Sequence, residues 1–359
     1  MAAAIEILDS LQQRRRPVAL ALRDWGQANR FAGSGDRAAI GNLVYDALRR
    51  RASHGWAMQA DTGRALVLSV AVRDWGEDPQ ALQGAFERDN FAPDPVSPEE
   101  MTLLQADMPL QNAPDHVRAD LPEWLVPAFK ETFGTNWLEQ ARALTMRPPL
   151  DLRVNSLKAT PEKVVASLQR FRPQPAPVVP LGLRIPAGGG PARVPNAQAD
   201  EALRKGRAEI QDAGSQIAAA LCGAEAGQQV LDYCAGGGGK TLALAAAMHN
   251  KGQIFAHDAD RNRLAPIYDR LKRNGIRNVQ VRAPVPGSLD ALAGAMDRVV
   301  VDAPCSGAGT WRRHPDAKWR LTPEQLKKRM SEQAAILREA ARFVAPGGQL
   351  VYITCSLLP

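Results

Sequence analysis

The run Arg298-Val-Val-Val-Asp-Ala-Pro-Cys-Ser-Gly307 constrains the fold of this chain more than any other stretch. Three valines in succession read as a strand buried on both faces, as central strands of parallel sheets are. The strand ends in Asp302, and open α/β sheets bind ligands beyond the carboxyl ends of their strands. Ala303, Pro304 and Cys305 follow, so a carboxylate, a rigid turn and a thiol share one strand tip. Residues 349–356, Gln-Leu-Val-Tyr-Ile-Thr-Cys-Ser, have the same design, with Cys355 just past their strand. Two strand-end cysteines 50 residues apart require a chemical reason.

Around that strand, from residue 211 on, the pattern alternates strand and helix. Strands are expected at 229–233, 253–256, 279–282, 298–301 and 350–354. Helices are expected at 215–221, 241–248, 262–274 and from the capping box Thr322-Pro-Glu-Gln325 to about residue 343. Such alternation indicates the α/β class, with a parallel sheet of Rossmann-like winding. Residues 1–110 instead read as all-helical. Pro17 breaks the first apolar periodicity, Asp36 can cap a helix over 37–51, another apolar helix covers 65–75, and Ser97-Pro-Glu-Glu100 is a second capping box. In between lie a linker at 111–120, a helix at 121–146 whose aromatics read as core, and a stop at Arg147-Pro-Pro149. A strand at 150–157, a helix at 162–171, a proline-rich strand pair and a flexible 187–195 follow. The expected domains are therefore 1–110 (helical), 111–205 (small α/β, bridging) and 206–359 (Rossmann-like).

No apolar run approaches the ~20 residues of a membrane span. Nor does the N-terminus have the order of a signal peptide, because Arg14-Arg15-Arg16 follows the short apolar segment. The four cysteines, at 222, 234, 305 and 355, show no C-x-x-C spacing. That argues against zinc, any other metal centre and a disulfide framework, and for free thiols in a reducing cytoplasm. The net charge is +7, and it is unevenly spread: residues 1–110 hold 12 Lys+Arg against 15 Asp+Glu, the remainder 33 against 23. A basic catalytic region suits a polyanion such as RNA, although an arginine-rich proteome would give the same excess. Arg147, Arg153, Asn155 and Lys158 are candidate RNA contacts, or simply solvated surface.

The first strand of the α/β region runs into Asp232-Tyr-Cys-Ala-Gly-Gly-Gly-Gly-Lys-Thr241. Glycines here let the backbone turn tightly and approach a ligand, and the helix that follows favours anionic groups at its N-terminus. A phosphate-binding P-loop would need glycine where Cys234 stands. Asp258 closes the second strand about 20 residues on, where an acid can accept the hydroxyls of a ribose. Glycine loop and acid together indicate a nucleoside cofactor, and S-adenosylmethionine (SAM) fits better than NAD or ATP. Beside a methyl donor, two thiols have a specific use. A thiolate that adds to carbon 6 of a pyrimidine makes carbon 5 nucleophilic, and a second group then assists breakdown of the adduct. Asp302 can bond the cytosine edge. Lys240 or the Arg312/Arg313 pair can favour the thiolate.

Four ordered motifs carry a resemblance: Cys-Ala-Gly-Gly-Gly-Gly-Lys-Thr (234–241), Asp-Ala-Pro-Cys-Ser-Gly (302–307), Arg-Arg-His-Pro-Asp-Ala-Lys-Trp (312–319) and Thr-Cys-Ser (354–356). They resemble the RNA 5-methylcytosine methyltransferases of the RsmB/NOP/Sun type, over about 211–359 and more weakly over 115–160. Residues 35–50 are similar to the NusB-like helical domain that precedes some of these enzymes. The resemblance implies Cys355 as nucleophile, Cys305 as the residue that assists release, and Asp302 as the cytosine contact. It implies SAM held by Cys234, Ala235, Gly236, Gly237, Gly238, Gly239, Lys240, Asp258 and Asp302. It further implies a cytoplasmic enzyme, expected to be monomeric, that acts on RNA, 16S rRNA first and tRNA second. A catalytically inactive RNA-binding protein and a P-loop-like NTPase are the readings outside it.

Three departures from the family stand out. Gly236-Gly237 replaces the usual Ala-Pro, which loosens the loop. Ala283-Pro284 stands where the family offers an acid to the adenine, with Asp290 as a substitute. The sequence ends at Pro359, two strands short of the family pattern, so a truncated product with an uncovered sheet edge, poorly soluble and weakly active, is expected.

Overall fold

The computed structural model describes residues 1–14, 16–107, 109–192 and 196–359. The stretch 187–195, expected to be flexible, lies partly outside the described residues. Two sheets organise the chain. The first is antiparallel: β1 (Leu150–Val154), β2 (Gln174–Pro175), β3 (Gly182–Ile185) and β4 (Ala208–Ile210), in the order β2-β3-β1-β4. The second is parallel: β5 (Gln229–Asp232), β6 (Gln253–His257), β7 (Val279–Arg282), β8 (Met296–Asp302) and β9 (Val344–Ile353), in the order β7-β6-β5-β8-β9.

The three valines of β8 show why this sheet forms. Val299, Val300 and Val301 are all fully buried, and alternation sends them to opposite faces. Val299 and Val301 pack with Leu231, Ala340 and Phe343, beneath the helix Pro323–Ala341. Val300 packs on the other side with Val230, Ile254, Leu244, Ala245 and Cys222. Burying each such side chain contributes roughly 1.5–3 kcal/mol. Cys222 is thus a packing residue, as its apolar helix suggests.

Several elements are shorter or differently bounded than the periodicity predicts. The helix expected over 121–146 divides into Val126–Phe133 and Trp137–Ala143, because Gly134 takes a left-handed φ of +52° between them. That over 262–274 breaks at Pro266 into Arg261–Leu264 and Ile267–Asn274. Asp36 caps its helix, Ser34–Arg49, from within the first turn, accepting from Gly33 N at 2.9 Å. β9 starts at Val344, and a register irregularity against β8 absorbs the expected turn at 346–348. Gly348 there lies so close to Met296 O that a Cβ would sit 2.7 Å from it. The short β4 gives too little periodicity to be read from sequence.

Helices make up the region before Leu150, and among the described residues none is long and apolar enough to cross a membrane. Side chains from the 312–319 motif hold this region to the α/β part. Lys318, almost fully buried, donates to Arg49 O at 3.1 Å, and Trp319 Nε1 donates to Leu48 O at 2.6 Å. These carbonyls end the helix Ser34–Arg49, where backbone acceptors are unpaired and a cation is favoured. Burial lowers the Lys318 ammonium to about 8. The antiparallel sheet meets the helix Ile267–Asn274 of the parallel-sheet part at Glu209 of β4, also buried, which accepts from Arg270 Nη2 (2.9 Å) and Asn274 Nδ2 (2.7 Å) and pairs with Arg273. Replacing Glu209 with Ala leaves two arginines without their counter-charge. We expect Glu209→Ala to lower unfolding free energy by about 3–5 kcal/mol, read from chemical denaturation. A loss below about 1 kcal/mol would remove this network from the account of the junction.

Candidate active site

The site forms where β5, β8 and β9 end side by side. β5 ends at Asp232, which is fully buried; its Oδ2 accepts from Thr241 Oγ1 at 2.7 Å. Oδ1 has no partner among the described residues, although Asp232 lines a cavity of about 350 Å³. Burial raises this carboxyl to about 6. Cys234, Ala235, Gly239, Lys240 and Asp302 line the same cavity, so the glycine loop and the tip of β8 face one space.

The loop is pinned on its far side. Ala235 N donates to His257 O at 2.7 Å, and Gly236 N to Asp258 Oδ2 at 2.9 Å. Gly238 has φ +82°, and a Cβ there would lie 2.6 Å from Ile267 Cγ1. Asp258 is buried, and its second oxygen accepts from Asp260 N at 2.9 Å. It therefore braces the loop through backbone amides and lies outside the cavity lining. Cys234 is half-buried, and burial first, then the charge of Asp232, pushes its thiol up to about 12. This is a packed thiol rather than a reactive one. Asp290, the substitute for a missing adenine contact, is exposed at the start of a 3-10 turn.

Lys240, in the first turn of the helix Gly239–Ala247, donates to Asp302 Oδ2 at 2.6 Å and to Ser215 Oγ at 3.2 Å. The two remaining residues come together from neighbouring strands. Asp302 of β8 pairs in register with Ile353 of β9, so the turns after them run alongside each other. Cys305 Sγ and Cys355 Sγ lie 3.3 Å apart, and Ser306 Oγ and Ser356 Oγ 2.8 Å apart. Gly309 N donates to Cys355 O at 2.7 Å, where a Cβ on Gly309 would lie only 2.9 Å from that oxygen.

Hydrogen bonding divides the two thiols. The Cys355 thiol, with backbone amides near Gly307 and Cys355, lowers Cys305 to about 6 against the cost of burial. The same bond, then burial and the charges of Cys305 and Asp302, raises Cys355. A proton is thus shared, with negative charge favoured on Cys305. The cations expected to favour the thiolate are engaged elsewhere: Lys240 with Asp302, Arg313 with Asp212, and Arg312 with Arg147 O at 3.0 Å. Neutral hydrogen-bond donors perform that role instead. Sequence reasoning gave no role to Asp232 or Ser215. Asp232 was visible as a strand-end acid before the glycines, whereas Ser215 carries no signal in its helix.

A five-stranded parallel sheet of this order, with a glycine loop after its first strand and a buried acid after the second, defines a Rossmann-like methyltransferase fold. Residues 219–359 match the family model of the 16S rRNA methyltransferase RsmB/F, and residues 121–189 that of the ferredoxin-like domain of RsmF/B-like methyltransferases. Over these two segments the chain is similar to the RsmB/F methyltransferases. The ribosomal RNA small subunit methyltransferase B of Salmonella arizonae is 34% identical over 244 residues, which cover 66% of this chain and 54% of that protein. This chain thus spans about half the length of the curated relatives it matches. The crystal structure of PH0851 shares the fold over 99% of this chain and 85% of its own, with TM-score 0.72 and 24% identity. A methyltransferase homolog protein from Pyrococcus horikoshii is 28% identical, covering 68% of this chain and 77% of its own, with TM-score 0.57.

RsmB/F methyltransferases use SAM. The residues present here fit that group. Asp232 offers an unpaired carboxylate oxygen to an ammonium, and the helix after the loop offers free amides to a carboxylate. The loop conformation depends on Gly238. Forcing a side chain onto its left-handed backbone costs about 1–3 kcal/mol. Calorimetric titration should therefore show Gly238→Ala binding SAM roughly ten- to hundredfold more weakly. Unchanged affinity would mean that the loop does not hold the cofactor.

Proposed function

We propose that this chain transfers a methyl group to carbon 5 of a cytosine in RNA, with 16S rRNA as the substrate class. The observation that carries this reading is the 3.3 Å approach of Cys305 and Cys355 beside Asp302. Two thiols so placed suit a nucleophile and its proton acceptor. Tertiary contact also argues against the phosphate-loop alternative, because the loop lysine is paired with Asp302.

SAM, when bound, supplies the methyl group; the 234–240 loop and Asp232 would hold it, with Asp258 bracing the loop from outside the cavity. All other steps belong to the chain and the RNA. Asp302 has one oxygen committed to Lys240 and leaves the other to bond the cytosine edge. As Cys355 Sγ bonds to carbon 6, its proton passes to the Cys305 thiolate. The ring π electrons move toward carbon 5, which takes the methyl group. Cys305, having lost its proton to solvent, removes the proton from carbon 5. The bond from carbon 6 to Cys355 then breaks, the ring double bond re-forms, and Cys355 leaves as thiolate. The net products are 5-methylcytosine, one proton and the demethylated cofactor, S-adenosylhomocysteine.

Labelled methyl transfer to unmodified 16S rRNA and tRNA tests this. Label should reach cytosine, vanish in Cys355→Ala, and give way to a trapped covalent RNA adduct in Cys305→Ala. A Cys355→Ala chain that still methylates cytosine would sink the mechanism. The shared proton adds a pH signature. Deprotonated Cys305 is the active form, so adduct formation by the unaltered chain should persist to a pH below the ordinary thiol range and fall about tenfold per unit below its own limb. In Cys305→Ala that limb should move up toward the ordinary thiol range, about 8.5. Equal limbs in both would show that Cys305 takes no proton from Cys355.

A further inference from the structure

The catalytic cavity continues beyond Asp302. Pro149, Leu150 and Arg313 line it and also line a second cavity of about 640 Å³, between the helix Ser34–Arg49 and the turns of the antiparallel sheet. Its walls are tied together. Asn42 Nδ2 donates to Ala192 O at 2.8 Å, and Arg147 Nη1 to Gly188 O at 2.9 Å, fastening the loop after β3 against the helix.

The chemistry of this cleft is one-sided. Four arginines, 37, 49, 147 and 313, line it, and no acid does among the described residues. Asp46 alone answers both Arg49 and Arg147, so that pair carries net positive charge. Pro148, Pro149 and Pro186 give flat apolar surface. Tyr45 is half-buried at the wall, with the Arg49 guanidinium 5.7 Å from its ring centre, and its hydroxyl has no hydrogen bond among the described residues. Cations, an aromatic ring and apolar faces together form a site for an unstacked nucleotide, and its volume suits one small ligand.

We propose that this cleft binds the nucleotide next to the target base, so that a single RNA strand runs from the thiol pair past Arg313 to Tyr45. The proposal rests on the RNA-methyltransferase reading above. It makes the helix Ser34–Arg49 a wall of the substrate path rather than a packing support alone.

Gly41 gives a clean test. It lines the cleft in mid-helix, and a Cβ there would meet nothing within 4 Å. Gly41→Phe would fill the space with a ring, while replacing a helical glycine, itself unfavourable, preserves the fold. Gly41→Ala leaves the cleft open. The probe is a single-stranded oligoribonucleotide from 16S rRNA with 4-thiouridine beside the cytosine, used for photo-cross-linking and for methyl-transfer kinetics. We expect the unaltered chain to cross-link within residues 38–49. In Gly41→Phe the cross-link should be lost and KM for RNA should rise about tenfold, with kcat and SAM affinity within about twofold. Gly41→Ala should behave as the unaltered chain. A folded Gly41→Phe chain with unchanged KM and cross-link overturns the proposal, as does normal methyl transfer with cross-links only elsewhere. If the unaltered chain transfers no methyl but cross-links at Tyr45 and loses this in Gly41→Phe, the methyltransferase reading falls and the cleft stands as an RNA site.

Discussion

The parallel pairing of β8 with β9 is the constraint on which the candidate site depends. It sets Asp302 opposite Ile353, and the next three residues of β8's turn and the next two of β9's bring two sulfurs into contact. Neither turn is self-sufficient. Gly309 must come within hydrogen-bond reach of Cys355 O, and Ser306 must meet Ser356, before the thiols are aligned. Hydrophobic burial of the valines positions the strands, and the polar contacts beyond their ends refine that placement to the scale chemistry needs.

Electrostatics around the pair are arranged by distance rather than by abundance of charge. Two arginines, Arg312 and Arg313, lie in the surrounding motif, yet each is bound to a carboxylate or a backbone carbonyl. The Lys240–Asp302 pair joins the helix after the glycine loop to the tip of β8 and leaves the thiols to share a proton between themselves. Asp232 sits behind this pair with an unpaired oxygen in a fully buried position. Such a group is costly in isolation, and its cost is offset when a cation binds in front of it. The cavity is thus polarised for a zwitterionic ligand.

The motif at 312–319 shows how one stretch can serve the fold at a distance from the chemistry. Its Lys318 and Trp319 donate to the last carbonyls of the helix Ser34–Arg49, while its Arg312 holds Arg147 O beside the proline stop. Short polar bonds from one segment therefore join the helical part, the antiparallel sheet and the catalytic edge. The cleft at Tyr45 exists because these three parts are held at this spacing.

Much of the fold was legible locally. Valine runs, capping boxes, glycines and prolines each act within a few residues, so strand and helix positions follow from sequence alone. Strand-end cysteines at 305 and 355 marked two thiols that the fold brings into contact, and the glycine loop marked one wall of the cavity. Local rules failed where a distant partner decided the outcome. β4 forms because β1 offers it an edge, whereas Gly134 and Pro266, which cut helices that apolar periodicity would have continued, are local signals that the periodicity masked. Which cation faces which anion was equally invisible, since Arg313 with Asp212 and Lys240 with Asp302 are bonds between residues far apart in the chain. The sequence by itself determined the residue types that the chemistry uses. Tertiary structure decided which of them touch, because a hydrogen bond forms or fails over a few tenths of an ångström and that distance is set by packing across the whole fold.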